Sequence, residues 1–422
     1  MSKLLITGGR VICPAQGIDR VTNLLIEEGR IVGFDAQPRG DERILDAAGK
    51  IVAPGLVDFH TQLREPGCEE DETIETGTAA ALAGGYTSIA CLPDTDPPID
   101  TPAAVEFVRQ KAARAHHCHV FVVACVSKNR EGKELAEIGS LVEAGAVAFS
   151  DAMRPLQNSD LLRRALEYCL MFDAPLLSHP EALELSGGGV MHEGRVSTVL
   201  GLPGMPAAAE DVMTSRDVRL AEATGGKLHL LNLSTGSSID LVRRTKLRNI
   251  PVTAGVCAIN FALTDELLRS FDAACKLNPP LRSPDHVEAC IAGLQDGTLD
   301  VISSGHAPRA VEKKMQELDL APAGMVSLET TLALVITRLI EPGHLDWPTA
   351  LSKLTVNPAR ILGLNKGTLR PGADADVVII DPDVRWEVDP ARFLSKSSNT
   401  PLAGTTLRGR PEHVIVSGEV KF

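Results

Sequence analysis

Ile51-Val-Ala-Pro-Gly-Leu-Val-Asp-Phe-His60 is a short apolar run that ends on polar side chains, and the pattern recurs along the chain. The other runs occupy 87–94, 119–127, 146–151, 175–181, 227–234, 251–256 and 301–308, the last reading Val-Ile-Ser-Ser-Gly-His-Ala-Pro. Helical stretches separate them; one is Thr101-Pro-Ala-Ala-Val-Glu-Phe-Val-Arg-Gln-Lys-Ala, with Thr101 as N-cap and proline in the first turn. Buried parallel strands read as continuous apolar runs, and strand–helix alternation produces a parallel sheet. Eight such units predict a closed α/β structure, a (β/α)8 TIM-like barrel, with its chemistry just past the C-terminal strand ends.

The two ends of the chain read differently. Leu4-Leu-Ile-Thr-Gly-Gly-Arg-Val-Ile12 and Asn23-Leu-Leu-Ile-Glu-Glu-Gly-Arg-Ile-Val32 are β-rich with glycine-containing turns, and Asp376-Val-Val-Ile-Ile-Asp381 and 413–422 repeat that style. Isolated hairpins are marginal, so the ends are expected to pair into one small β-sandwich. The predicted organisation is residues 1–52 and 365–422 for the sandwich and 53–364 for the barrel.

The 422 residues, 44% of them hydrophobic, support a large core, and with aromatics at 3% that core must rest on aliphatic side chains. A net charge of −13 argues against a nucleic-acid or anionic-membrane partner, either of which selects a basic surface. Nine cysteines without a C-x-x-C pair point to reduced thiols in a cytoplasmic setting. The start, Met1-Ser-Lys-Leu-Leu-Ile, is too short an apolar run for a signal peptide, and no stretch nears the roughly 18 apolar residues of a membrane span.

Taken in order, Asp58-Phe-His-Thr-Gln-Leu-Arg-Glu-Pro-Gly67, Leu92-Pro-Asp-Thr-Asp-Pro97, Ser178-His-Pro-Glu181, Gly201-Leu-Pro-Gly-Met-Pro206, Leu277-Asn-Pro-Pro-Leu-Arg282, Gly305-His-Ala-Pro308, Asn357-Pro-Ala-Arg360 and Gly372-Ala-Asp-Ala-Asp376 resemble the dihydroorotase branch of the amidohydrolase superfamily over essentially the whole chain. The resemblance implies a cyclic-amide hydrolase with one or two zinc ions, which bring a bound water's pKa near neutrality. It also implies a ligand set, and this chain departs from it. His60, Asp151 and His179 match ligand positions, while Gln62, Asn232 and Gly305 stand where histidine, histidine and a metal-binding general-base aspartate are expected. Strand seven, Gly255-Val-Cys-Ala-Ile-Asn260, has lost its acid, proline and histidine. Arg64, Asn278 and His306 match substrate-gripping positions, but Asp94 replaces an asparagine there and would repel a carboxylate unless Arg64 neutralises it.

The expectation is therefore a chain with no catalytic residue, no metal and only vestigial substrate contacts. It resembles the inactive homologues of this family that assemble with the aspartate carbamoyltransferase catalytic chain. The alternative is an active zinc-dependent dihydroorotase, or a related cyclic amidohydrolase, with a reduced metal site. A third reading is a ligand-binding sensor built on Arg64, Asn278 and His306. His116-His-Cys-His119 is expected at the far end of the barrel, and Lys313 and Lys314 in an exposed loop.

Overall fold

The computed structural model describes residues 3–40 and 42–422; Met1 and Ser2, with which the reading of the chain's start began, lie outside them. Five strands come first: β1 (Lys3–Cys13), β2 (Ile18–Glu27), β3 (Arg30–Phe34), β4 (Arg43–Asp46) and β5 (Ile51–Pro54). The barrel strands are β6 (Leu56–Thr61), β7 (Tyr86–Cys91), β8 (His119–Ala124), β9 (Ala146–Phe149) and β10 (Leu176–Ser178). A small two-stranded piece, β11 (Met191–His192) and β12 (Gly204–Met205), lies between β10 and the last barrel strands, β13 (Leu228–Leu230), β14 (Val252–Cys257) and β15 (Val301–Ser303). The chain ends in β16 (Val377–Glu387), β17 (Thr406–Val416) and β18 (Glu419–Val420).

The barrel sheet runs β6-β7-β8-β9-β10-β13-β14-β15 with neighbouring strands parallel. A parallel bridge between Thr61 and His306, with Gln62 N–H donating to His306 O at 2.9 Å, joins the last strand to the first. Helices cover the outside, and Pro102–Ala115 begins as expected, with Thr101 accepting from Ala104 N–H. Phe59, Ala90, Val123, Ala148, Leu177 and Leu231 come from strand after strand around the ring and plug the lumen.

Residues 51–60 do not form one strand. Gly55 separates β5, which pairs antiparallel with β16 in the terminal domain, from β6 of the barrel. A side chain at Gly55 would run into Thr87 at 2.1 Å, so the crossing between domains needs glycine. β5 and β16 join the two ends of the chain, and the terminal strands form one sheet in the order β18-β17-β16-β5-β1-β2-β3, with β4 alongside β1. That sheet curls until its extremes meet: Ala375 N–H donates to Gly29 O, and a Cβ on Gly29 would lie 2.7 Å from Ser417 O. Leu4, Ile26, Ile31, Val52, Ile379 and Ile415 form the core so enclosed.

The C-terminal part is not confined to this domain. Between β16 and β17 the chain returns to the barrel mouth, where Ser397 Oγ donates to Asp71 O at 2.6 Å and Asn399 Nδ2 to Gly324 O at 2.9 Å. The expected cluster at 116–119 is a joint: His119 Nε2 lies 3.2 Å from Asp376 Oδ1, and Lys366 donates to the other oxygen of that carboxylate. Among the described residues no helix is long and apolar enough to cross a membrane.

His229 on β13 is fully buried, its ring edge-on to Phe59 and its Nδ1 paired with Thr253 Oγ1 at 2.8 Å. Burial, then the charge of Lys246, lowers its pKa from 6.5 to about 3. The unfolded chain therefore takes up this proton first as pH falls, so the stabilisation is complete above 6.5 and is lost from there toward 3. Urea unfolding should show this group contributing about 2–3 kcal/mol of stability loss between pH 8 and 4.5. In His229→Gln the pH slope should flatten by that amount; an unchanged slope would assign the titration elsewhere.

Candidate functional site

A cavity of about 220 Å3 lies where the barrel strands end, with His60, Gln62, Asp94, Asn232, Gly305 and Arg309 in its wall. His60 and Gln62 follow each other on the same side at the end of β6, as side chains two apart on a strand do. Asn232 follows β13 with a left-handed backbone, φ +48°, which asparagine tolerates better than most residues. Its amide is occupied at both ends: Nδ2 donates to His60 Nδ1 at 2.6 Å, and Oδ1 accepts from Ser303 Oγ at 2.6 Å. This network places the His60 proton on Nε2. Burial, then the neighbouring His179, lowers the His60 pKa to about 3, so the ring is neutral and a weak base.

Gly305 also has a left-handed backbone, φ +65°, and a Cβ there would sit 2.4 Å from Cys257 Sγ. The Cys257 thiol donates to Ser304 O at 3.1 Å, and burial raises its pKa to about 12. It is not a nucleophile at neutral pH.

Arg64 Nη1 donates to Asp94 Oδ2 at 2.6 Å, and Arg64 Nε donates to Pro308 O at 3.3 Å. Burial pushes the Asp94 carboxyl up, and the charge of Arg64 pulls it down. Asn278 reaches the cavity, with its Nδ2 donating to Glu181 Oε2 at 2.8 Å. His179 Nε2 meets the same carboxylate oxygen at 3.0 Å. Burial raises the Glu181 pKa, but His179, Asn278 and Ser186 outweigh it and hold the group at about 2.

Four residues expected at the site are absent from the cavity wall, His179, paired with Glu181, among them. Asp151 was expected as a residual ligand, but its carboxylate turns to the end of β8, accepting from Val126 N–H at 2.9 Å, Ser127 N–H at 3.1 Å and Ser127 Oγ. His306 was expected to touch substrate. It is instead buried outside the cavity wall, its Nδ1 accepting from Ser327 N–H at 3.3 Å and its Nε2 lying 3.5 Å from Glu72. Arg64 lies behind Asp94 and acts on the cavity through it. Arg309, three residues after His306, is the cation in the wall; its Nη1 lies 3.5 Å from Asp71 and its Nε donates to Ala323 O. Sequence reading passed over Arg309, although a charged residue directly after the strand-eight motif was a usable signal. Lys313 and Lys314 lie half-buried in the short helix Val311–Lys314 rather than in an exposed loop: Lys313 pairs with Asp71 at 2.9 Å, and Lys314 donates to Ala273 O at 2.8 Å.

The amidohydrolase family model matches residues 51–421. The chain belongs to the amidohydrolase family. It is 50% identical over 420 residues to a protein of Pelotomaculum thermopropionicum named dihydroorotase, covering 99% of this chain and 98% of that one. A Syntrophus aciditrophicus protein of the same name is 47% identical, covering 100% and 99%. Among solved structures, L-hydantoinase from Arthrobacter aurescens superposes with a TM-score of 0.90 at 24% identity, covering 100% of this chain and 96% of that one, which establishes the shared fold.

Zinc, the group this family implies, does not fit the donors present. Gln62 and Asn232 offer neutral amides, Gly305 offers nothing, the His60 Nδ1 lone pair is taken by Asn232, and Asp151 is bound to Ser127, which leaves His179 Nδ1 as the one buried unpaired nitrogen among the expected ligands. Among the described residues no three His, Cys, Asp or Glu side chains converge as a metal site would require.

Adding the missing carboxylate should be costly because of Cys257. Gly305→Asp is expected to lose about 1–3 kcal/mol in urea unfolding, and Cys257→Ala in the same chain should recover the part due to packing, while the strain of a side chain at φ +65° remains. If Gly305→Asp matches the parent with Cys257 in place, the close packing of these two residues is wrong.

Proposed function

We propose that this amidohydrolase-family chain is a dihydroorotase-group protein of pyrimidine biosynthesis that performs no hydrolysis itself. Its role is to assemble, in the cytoplasm, with the aspartate carbamoyltransferase catalytic chain. The observation that carries the non-catalytic part is the Asn232 amide, which binds His60 and Ser303 where the family's chemistry calls for a histidine free to hold metal. The nearest imidazole, His60, has a pKa of about 3 and is too weak a base to activate water near neutrality. A barrel retained with these changes keeps its surface, and a surface is what assembly uses.

A second reading has its own support. Relatives about half identical over their full lengths carry the name dihydroorotase, which by itself favours an active hydrolase. That reading requires a centre built on His60, whose Nδ1 is held by Asn232, and His179, whose Nε2 meets Glu181 and whose Nδ1 has no partner.

Two measurements separate the readings. Purified protein should retain substoichiometric zinc after dialysis and hydrolyse dihydroorotate no faster than buffer. One zinc per chain with turnover of about 1–10³ per second, the ordinary enzyme range, would establish the active reading. Co-expression with aspartate carbamoyltransferase should give one large particle in gel filtration, as interfaces above roughly 1,200 Å² do. His179→Ala should leave that particle intact, and separate elution of the two chains at micromolar concentration would remove the assembly role.

A further inference from the structure

Between β16 and β17, residues 393–400 form neither helix nor strand, so their place depends on groups supplied by the barrel. Two carboxylates grip three consecutive residues there. Glu329, in the first turn of the helix Leu328–Val335, accepts on Oε1 from Leu394 N–H at 2.8 Å and Ser395 N–H at 3.2 Å. Glu72 accepts from Ser395 Oγ and from Lys396 N–H at 3.1 Å.

This segment in turn holds one side of the cavity wall. Asn399 Oδ1 accepts from Arg309 N–H at 3.0 Å, its Nδ2 donates to Gly324 O, and its backbone oxygen accepts from Val326 N–H at 2.7 Å. Arg309, Gly324 and Met325 line the cavity. Release of 394–399 would take those backbone partners away.

The two acids are compensated unequally. Glu72 is fully buried with His306 Nε2 at 3.5 Å; burial raises its pKa, but His306, Ser395 and Thr76 outweigh burial and leave it lowered, hence ionised. Half-buried Glu329 has no such partner. Arg410 of β17 acts on it only through its charge and lies over the Trp386 ring, 5.5 Å from its centre. Glu387, Asp389 and Arg392 share with it the wall of a second cavity of about 600 Å3, where Arg392 lies 3.5 Å from Asp389. Lys396 turns its Nζ to Glu69 O. Burial, with Glu72 adding to it, raises the Glu329 pKa from 4.5 to about 7, against the pull of the Ser395 and Leu394 N–H groups and of Arg410.

We propose that Glu329 is a proton-operated latch on residues 394–399: protonated, it keeps the segment closed on the barrel mouth, and ionised, it releases the segment and loosens the wall that carries Arg309. A proton on Oε2 leaves Oε1 as an acceptor for both N–H groups. The closed state binds this proton more tightly than an open, solvated Glu329 does. Closure is therefore favoured at low pH and is lost as pH rises from 4.5 through about 7. The latch concerns opening and not hydrolysis, zinc content or assembly, so it stands or falls separately from them.

Hydrogen exchange of the purified full chain between pH 5 and 8.5, corrected for intrinsic rates and read by mass spectrometry, measures this opening. Protection of peptides carrying 394–396 and of those carrying Arg309 and Val326 should fall together by at least about tenfold, the equivalent of one unit of differential proton affinity. Helix Pro102–Ala115 should show no such fall. Glu329→Gln keeps the acceptor oxygen and cannot ionise, so protection at both places should become flat with pH. Arg410→Gln, at an exposed position, removes an opposing charge and should carry the fall to higher pH, which decides the matter if Glu329→Gln fails to fold. Flat protection in the parent would overturn the latch. So would a fall that persists in Glu329→Gln, one that Arg410→Gln does not move, or one confined to 394–396 with Arg309 and Val326 unaffected.

Discussion

The first and last strands of the barrel meet through one bridge pair, Thr61 with His306, and the buried carboxylate of Asp58 ties the rest of the seam. Its oxygens accept from Thr61 Oγ1 at 2.6 Å, Ser304 N–H at 2.8 Å and Ser304 Oγ at 2.7 Å. Burial raises the Asp58 pKa and these donors pull it down, so the carboxylate and its three partners depend on one another. The seam sets the distance between the end of β6 and the end of β15, and so places His60 and Gln62 opposite Gly305. His306 packs behind it against Glu72, which Ser395 and Thr76 also hold. The C-terminal excursion is thereby fastened to the same wall.

Within that frame several of the site's polar groups pair with one another. A buried donor or acceptor cannot be left open without cost, so each of these side chains draws on its neighbours for a partner. Asn232 serves His60 and Ser303, Ser127 serves Asp151, and Glu181 serves both His179 and Asn278. Cys257 fills the space a side chain at Gly305 would occupy. Gln62 Oε1, Asp94 Oδ1, Arg64 Nη2 and His179 Nδ1 are the groups around the site that this pairing leaves without a partner among the described residues.

The terminal domain belongs to the same mechanical unit. Antiparallel pairing of β5 with β16 brings the two chain ends together directly before the first barrel strand. Lys50 reaches Asp381 and Glu412, and Lys366 with His119 grips Asp376 at the far end of the barrel. The Gly372-Ala-Asp-Ala-Asp376 motif is thus a structural joint, remote from the cavity.

Much of the architecture was legible from periodicity alone. Continuous apolar runs separated by capped helices specify buried parallel strands, and the β-rich ends could be stable only together. The break at Gly55 was hidden, because β5 and β6 are equally apolar and only their different partners separate them. At the site, the sequence determined which chemical groups are available, since Gln62 and Asn232 carry neutral amides and Gly305 no side chain in any conformation. Which side chains enter the cavity was decided by tertiary structure. Asp151 turns to Ser127, His306 turns to Glu72, and Arg309 takes a place in the wall. The physical reason is that each orientation depends on a hydrogen-bond or charge partner supplied by another strand or loop, and no local pattern encodes that partner.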